Sequence, residues 1–195
     1  MNSNMKNAPK LRKSLSSVDE KSNQLEEYVK RFDLRILKRD NRSDEYKNLK
    51  IALEPAVAFT LEKGNTFVYY GIPEGKENEA FKKIIYYIVT GTTNLIPNTK
   101  NCIANVNTQT NLKLFVTPEC PYCKRMGELL GEFVVLNKNI NLSIVNVFNF
   151  PEIIEKYDIE AVPTLIINEE YKLIGFHEES LLCMHILSSL NKLYE

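Results

Sequence analysis

The feature of this sequence best suited to chemistry is a pair of cysteines separated by two residues, in the CPYC segment 120–123. The apolar stretch 112–117 before it has the composition of a buried strand, and a segment with helical periodicity follows it. Pro121 suits the first position of that helix, because an N–H there would be unpaired in any case. The spacing therefore predicts that Cys120 caps the helix and that Cys123 lies one turn inside it, on the same face.

The predicted position of Cys120 favours a reactive thiolate. Its sulfur would face free backbone N–H groups and the positive end of the helix dipole. Lys124, four residues further on, can lie beside Cys120 on the helix surface and stabilise the thiolate. Such surroundings lower the pKa of a cysteine from about 8.5 to roughly 3.5–7.5. Cys120 is therefore predicted to be the nucleophile, and Cys123 the thiol that resolves the mixed disulfide.

Half of a zinc site has the same cysteine spacing, so metal binding is the competing interpretation of the motif. The other metal-ligating residues are Cys102, Cys183, His177 and His185, and none is spaced as a second half-site. No metal site is predicted. Cys102 and Cys183 are interpreted as small apolar side chains, with an electron relay from Cys102 to Cys120 as the alternative.

A second motif, Ala161-Val162-Pro163-Thr164, opens an apolar strand about forty residues after the cysteines. Together the two motifs give the order strand, CxxC helix, strand, helix, proline-initiated strand, strand, helix. This order resembles the thioredoxin superfamily, and the segment CPYCKR is especially similar to glutaredoxins. The resemblance implies that the bond before Pro163 is cis and faces the cysteines. It also implies that Val162 offers backbone hydrogen bonds to a substrate chain, and that Pro121 and Tyr122 belong to the same substrate-binding surface.

The turn after the proline strand departs from the glutaredoxin pattern. Glutaredoxins place a Gly-Gly turn and an acid there to hold glutathione, whereas this chain has Gly175-Phe176-His177. A flavoprotein reductase is therefore the predicted electron donor, disulfide-containing proteins are the predicted substrates, and a peroxiredoxin is a further candidate partner. No cofactor is predicted.

An internal repeat divides the chain. A shift of 108 residues pairs Leu34 with Leu142, Ile36 with Ile144, Ile51 with Ile159, and Pro55 with Pro163.

The prediction is an α/β protein with two tandem thioredoxin-like folds, each a mixed sheet flanked by helices. Residues 1–17 are predicted to form a flexible basic tail, 18–106 a degenerate unit without CxxC, and 107–195 the catalytic unit. The first strand of the degenerate unit is expected to be absent or reduced to about residues 10–15, and its opening helix to begin near a Ser17-x-x-Glu20 capping box. A strand is expected at residues 66–70. Gly91 and Pro97 are expected to stop the unit's last helix, which leaves residues to about 110 as a connector. The tandem arrangement resembles protein disulfide oxidoreductases and the N-terminal domain of the alkyl hydroperoxide reductase flavoprotein subunit.

Composition narrows the classes of function. The 25 basic side chains balance the 25 acidic ones, so neither nucleic acid nor anionic membrane is a predicted partner. No apolar run approaches the roughly 18 residues of a membrane span, and the N-terminus lacks an apolar signal region, so a cytoplasmic location is predicted. The leading prediction is a dithiol/disulfide oxidoreductase acting in electron transport. The alternative is an iron–sulfur or metal carrier that uses Cys120 in a glutaredoxin-like dimer.

Overall fold

The structure is a computed structural model that describes residues 11–14, 36–39, 53 and 55–191. In this part of the chain the strands are β1 Leu11–Ser14, β2 Ile36–Arg39, β3 Ala56–Thr60, β4 Thr66–Tyr70, β5 Thr110–Val116, β6 Ile140–Asn146, β7 Thr164–Ile167 and β8 Tyr171–Ile174. The helices are α1 Gly75–Thr90, α2 Pro97–Ala104, α3 Pro121–Leu136, α4 Glu152–Tyr157 and α5 Glu179–Asn191.

The eight strands form one mixed sheet in the order β2-β1-β3-β4-β6-β5-β7-β8. Each half has the same plan: its first two strands are parallel, and its third and fourth strands are added antiparallel. The halves join through the parallel pair β4 and β6, with Tyr69 opposite Ile144. The topology repeats as the 108-residue shift predicted, and the last strand of the first half does not end as an open edge.

The first half keeps its first strand. Leu11–Ser14 pairs with both β2 and β3, so the prediction of a flexible tail is wrong for these residues, and the alternative of a short strand within residues 10–15 is confirmed. Leu11 lies opposite Ile36, 25 positions later, whereas Leu114 lies opposite Ile144, 30 positions later. The first half therefore has five fewer residues in the segment where the second carries its cysteines. A predicted helix start at Ser17-x-x-Glu20 lies outside the described residues.

The segment between the two halves contains a helix, although the sequence pattern predicted only a connector there. Gly91 ends α1 as predicted, with a left-handed φ of 66° and its N–H bonded to the Tyr87 carbonyl. Pro97 does not merely stop a helix; it occupies the first turn of α2. The interpretation of Cys102 and Cys183 as independent apolar residues is also wrong, because a disulfide joins Cys102 in α2 to Cys183 in α5.

Helices α1 and α3 lie side by side on one face of the sheet and run in the same direction. Near their starts the Lys76 N–H donates to the Pro118 carbonyl, and further along a Cβ added to Gly127 would lie 3.8 Å from the Ala80 Cβ. A Cβ added to Gly131 would lie only 2.6 Å from the Ile84 side chain, so this close approach needs a glycine. The two halves are thus joined by helix packing as well as by the sheet.

No described helix is both long and apolar enough to cross a bilayer.

Candidate active site

Cys120 is the N-cap residue of α3, as predicted. Its backbone is extended, with φ −79° and ψ 112°, and Pro121 follows in the first turn. The Cys123 N–H donates to the Cys120 sulfur across 3.1 Å, and the two cysteines form a disulfide with their Cα atoms 5.2 Å apart. Cys120 is partly exposed, whereas Cys123 is completely buried. An attacking sulfur from another molecule can therefore reach Cys120 but not Cys123.

The loop before β7 supplies the second wall of the site. The Val162–Pro163 peptide bond is cis, as the resemblance implied, and Pro163 is buried. The Val162 carbonyl oxygen lies 3.9 Å from the Cys120 sulfur. The Pro163 carbonyl accepts the Gly175 N–H at 2.8 Å, so the turn after β8 supports this loop. The structure thus brings Val162 and Pro163 beside the cysteine pair.

Aromatic side chains line the rim next to Cys120. Tyr122 is 56% exposed and its ring centroid lies 6.0 Å from that of Phe176. The Arg125 guanidinium lies 4.3 Å from the centre of the Phe176 ring and 3.5 Å from the Glu178 carboxylate. Phe176 occupies the turn in which glutaredoxins carry their glutathione-binding glycines. The rim therefore presents the exposed Tyr122 ring beside the partly buried Phe176, with the Arg125 guanidinium over the Phe176 ring.

Lys124 does not lie free beside Cys120. Its ammonium group is paired with the Glu79 carboxylate of α1, and this hydrogen bond raises the pKa of Lys124 and lowers that of Glu79. The backbone N–H of Lys124 donates to the Cys120 carbonyl at 3.2 Å, which belongs to the first turn of the helix. The helix terminus, and not this side chain, is the better-supported source of thiolate stabilisation.

A buried carboxyl group that was not predicted from the sequence lies on α1, the helix that packs against the cysteine-bearing α3. The Glu77 side chain in the first turn of α1 is completely buried, and neither of its oxygens has a hydrogen-bond partner among the described residues. Burial, with a smaller contribution from the charge of Glu128, raises the pKa of Glu77 to about 8. The hydroxyl of Tyr69 is likewise buried without a partner in the described part of the chain, and its pKa is raised by burial and by Glu77. Two titratable groups therefore lie inside this part of the core.

The packing of α1 on α3 places Glu77 at the level of Cys123. Before Glu77, Gly75 lies against the Pro118 carbonyl, with an added Cβ 2.8 Å from it. After Glu77, Ala80 faces Gly127. Because the helices are parallel, Glu77, about one turn before Ala80, lies at about the level of Cys123, the buried residue about one turn before Gly127. The first half of the chain thus places a buried acid at the level of the cysteines of the second half.

A sequence signal for Glu77 exists. The buried residues of α1 recur at helical spacing, namely Glu77, Ala80, Phe81, Ile84, Ile85, Tyr87 and Ile88. Glu77 is the acidic member of that otherwise apolar stripe. A carboxylate is rarely left fully buried without a partner, so such a residue is a candidate for a functional role.

The two histidines pack on each other beside the rim. The ring centroids of His177 and His185 are 5.1 Å apart, and the Tyr171 hydroxyl lies 3.2 Å from His185 Nδ1. Burial and the neighbouring His177 lower the pKa of His185. The described residues contain no group of three or more His, Cys, Asp or Glu side chains that could hold a metal ion.

Comparison with known protein families places the cysteine-containing half among thioredoxins. The thioredoxin domain family model matches residues 110–183. A thioredoxin of Methanocaldococcus jannaschii is 31% identical over 65 residues, which is 33% of this chain and 76% of that protein. The matched region includes the strand, helix and cysteines that build the site.

Two solved structures extend the likeness to nearly the whole chain. The alkylhydroperoxide reductase protein AhpF of Enterococcus faecalis superposes with a TM-score of 0.81 at 20% identity, covering 94% of this chain and 92% of that one. A protein disulfide oxidoreductase of Aeropyrum pernix gives a TM-score of 0.80 at 24% identity, covering 95% and 87%. At these identities the likeness shows a shared fold, and that fold includes both halves.

Proposed function

The chain belongs to the thioredoxin superfamily and is a thiol–disulfide oxidoreductase, and from this premise we propose that it reduces protein disulfides through Cys120 and Cys123. The observation that carries the proposal is the placement of a partly exposed Cys120 sulfur at the start of α3, 3.9 Å from the Val162 carbonyl. That placement combines a stabilised nucleophile with a backbone acceptor for a substrate chain.

The reaction begins with the reduced pair. The Cys120 thiolate attacks one sulfur of a substrate disulfide, forms a mixed disulfide and releases the other substrate sulfur as a thiolate. Cys123 then attacks the Cys120 sulfur, a bond forms between the two cysteines, and the second substrate sulfur leaves and takes up a proton. Two electrons pass to the substrate, and the protein is left as the disulfide seen in the structure.

We assign proton transfer from Cys123 to the ionised form of Glu77, which is the minor form near pH 7 and the major form above about pH 8. A thiol with an ordinary pKa of about 8.5 exchanges a proton readily with an acid of similar pKa, and the pKa of Glu77 is about 8. The site around Cys123 is fully buried, so bulk water is not available as the acceptor. The buried carboxyl therefore serves the second step and not the first.

The rim supports a polypeptide substrate. Tyr122 gives an exposed aromatic side chain and Val162 offers its backbone, whereas the turn at Gly175 lacks the glycine pair that would hold glutathione. A flavoprotein reductase is accordingly the proposed electron donor, and a peroxiredoxin is a proposed target.

The substrate class is tested by following insulin reduction with the full-length chain. We expect a colourless protein that reduces insulin disulfides, while Cys120→Ser abolishes turnover and Cys123→Ser accumulates a mixed disulfide visible by mass spectrometry. Anaerobic purification yielding visible colour and acid-labile sulfide, without insulin reduction, would instead support the iron–sulfur carrier.

The electron donor is tested in a separate assay of the oxidised protein. Reduction by glutathione at millimolar concentration is compared with reduction by NADPH and a thioredoxin-reductase-type flavoprotein. We expect the flavoprotein to support turnover at least about tenfold faster, because nothing at Gly175 is built to bind glutathione. Efficient turnover with glutathione and its reductase alone would contradict the proposed donor.

A further inference from the structure

The second disulfide joins two elements that are far apart in sequence. Cys102 lies in α2 between the halves, and Cys183 lies in α5, 81 positions further along the chain, with their Cα atoms 6.3 Å apart. The chain that they enclose contains β5 to β8 with α3 and α4, which is nearly the whole catalytic half. The bond thus closes a loop around the unit that carries the active cysteines.

Other contacts hold the same pair of helices. The Glu179 carboxylate accepts the Ile96 N–H at 3.1 Å, and the hydroxyls of Thr99 and Ser180 are 3.3 Å apart. These polar contacts and the disulfide together hold α2 against α5.

The surroundings of Cys102 and Cys183 disfavour a thiolate, whereas those of Cys120 favour one. Cys183 is completely buried in the apolar core, in the second turn of α5. Cys102 lies near the C-terminal end of α2, where the helix dipole opposes a negative charge. Neither cysteine caps a helix N-terminus, so a thiolate leaving group is poorly stabilised at both positions.

We propose that Cys102–Cys183 is a structural disulfide that stays closed while Cys120 and Cys123 cycle, and that it fixes α5 behind the substrate rim. The residues just before α5 are those that contact the rim: Phe176 packs on Arg125 and Tyr122, and Glu178 pairs with Arg125. The disulfide holds the start of α5 against α2, and α5 in turn holds the segment 176–178 at the rim. The proposal rests on the proposed function only for the cycling of the first pair.

The bond forms by thiol–disulfide exchange with a small-molecule disulfide as oxidant. Cys102 attacks one sulfur of that oxidant and releases the other as a thiol; Cys183 then attacks the Cys102 sulfur and releases the second thiol. The two protein thiols lose two protons and two electrons, and the oxidant gains both. Because a thiolate is poorly stabilised at both positions, attack on the closed bond is slow, and the bond persists while the active pair turns over.

The resistance of the bond is tested on the oxidised full-length chain with limiting dithiothreitol at about pH 7. Free thiols are alkylated at intervals, and the peptides are identified by mass spectrometry. We expect Cys120–Cys123 to open at least about tenfold faster than Cys102–Cys183. Equal rates of opening, or free thiols at Cys102 and Cys183 in the oxidised protein, would overturn the proposal. This readout does not need insulin reduction, so it remains informative if the proposed function fails.

The structural role is tested by the melting temperature. Cys102→Ala, at the partly exposed end of the bond, should lower the melting temperature by about 5–15 °C, and prolonged reduction of the wild-type chain should lower it similarly. Ser180→Ala, which removes a hydrogen bond from the same interface, is the matched control and should lower it by less than about 3 °C. Reduction of a small disulfide by Cys102→Ala should stay within about twofold of wild type at 25 °C. A melting temperature of Cys102→Ala within 2 °C or so of wild type would exclude the structural role.

Discussion

The Cys120 sulfur is partly exposed beside the Val162 carbonyl, whereas the Cys123 sulfur one turn later is fully enclosed. In the reduced protein at about pH 7, iodoacetamide should therefore alkylate Cys120 on the order of tenfold or more faster than Cys123, because only an accessible thiolate reacts. Peptide mass spectrometry of timed samples measures both rates. Similar rates would contradict the assignment of Cys120 as the nucleophile.

Glu77 should matter for the second step and not the first. Glu77→Gln keeps the size of the side chain but removes the proton acceptor, so release of substrate from the mixed disulfide should slow by on the order of tenfold to a hundredfold. Rapid-quench, single-turnover experiments separate this step from formation of the mixed disulfide, which should change by less than about threefold. Glu62→Gln, at an exposed position in the turn after β3, is the control and should alter neither rate. Slowing of both steps to the same extent would point to a general structural defect.

The raised pKa of Glu77 also predicts how stability depends on pH. An unfolded glutamate releases its proton near pH 4.5, whereas the folded protein keeps it up to about pH 8. Between these values the native state binds the additional proton, so the free energy of unfolding falls as pH rises, by up to about 1.4 kcal/mol per pH unit from this group.

Urea denaturation of wild type and Glu77→Gln at about pH 5, 7 and 9 measures that contribution. The variant should gain stability relative to wild type as pH rises and reach its largest advantage above pH 8 or so. A difference between the two proteins that stays constant across this range would show that Glu77 does not titrate as stated.

The pairing of Lys124 with Glu79 limits what the lysine does for the nucleophile. Lys124→Met should change the alkylation rate of Cys120 by less than about threefold, because an exposed ion pair contributes little and its net charge is zero. Glu79→Gln leaves the ammonium without its partner and should raise that rate more than Lys124→Met lowers it. A tenfold or so loss of reactivity in Lys124→Met would restore the direct role predicted from the sequence.

The parallel pairing of β4 with β6 predicts that the catalytic half is not independent. Expressed alone, residues 107–195 would expose the whole edge of β6, together with the face of α3 that packs on α1 at Gly131 and Gly127. An uncovered strand edge promotes association between chains. We expect this fragment to reduce a small disulfide with a slowed resolving step because it lacks Glu77, to melt at a lower temperature and to aggregate in size-exclusion chromatography. A monomeric fragment as stable as the full chain would show that the first half is dispensable for folding.

Local patterns predicted the features that depend on neighbouring residues. The CPYC segment, the apolar strand opened by Pro163 and the strand at 66–70 all carry their signal within a few residues. Two other features depend instead on how distant helices pack. They are the disulfide between Cys102 and Cys183, and the position of Glu77 at the level of Cys123. Nothing near Cys102 in the sequence indicates Cys183 as its partner, since an amphipathic helix accommodates a free cysteine equally well. The short β1 was hard to predict because only four residues form it, and they carry more charge than a central strand usually does.

Glu77 lies on one repeat and the cysteines lie on the other. Natural selection on the redox reaction therefore acts on both repeats together. A descendant whose cysteines had decayed would have no use for an acid at position 77, where a leucine or methionine would pack without burying a carboxyl group. Among sequences that share this architecture, the acid at position 77 and the cysteines at positions 120 and 123 should therefore be retained together or lost together.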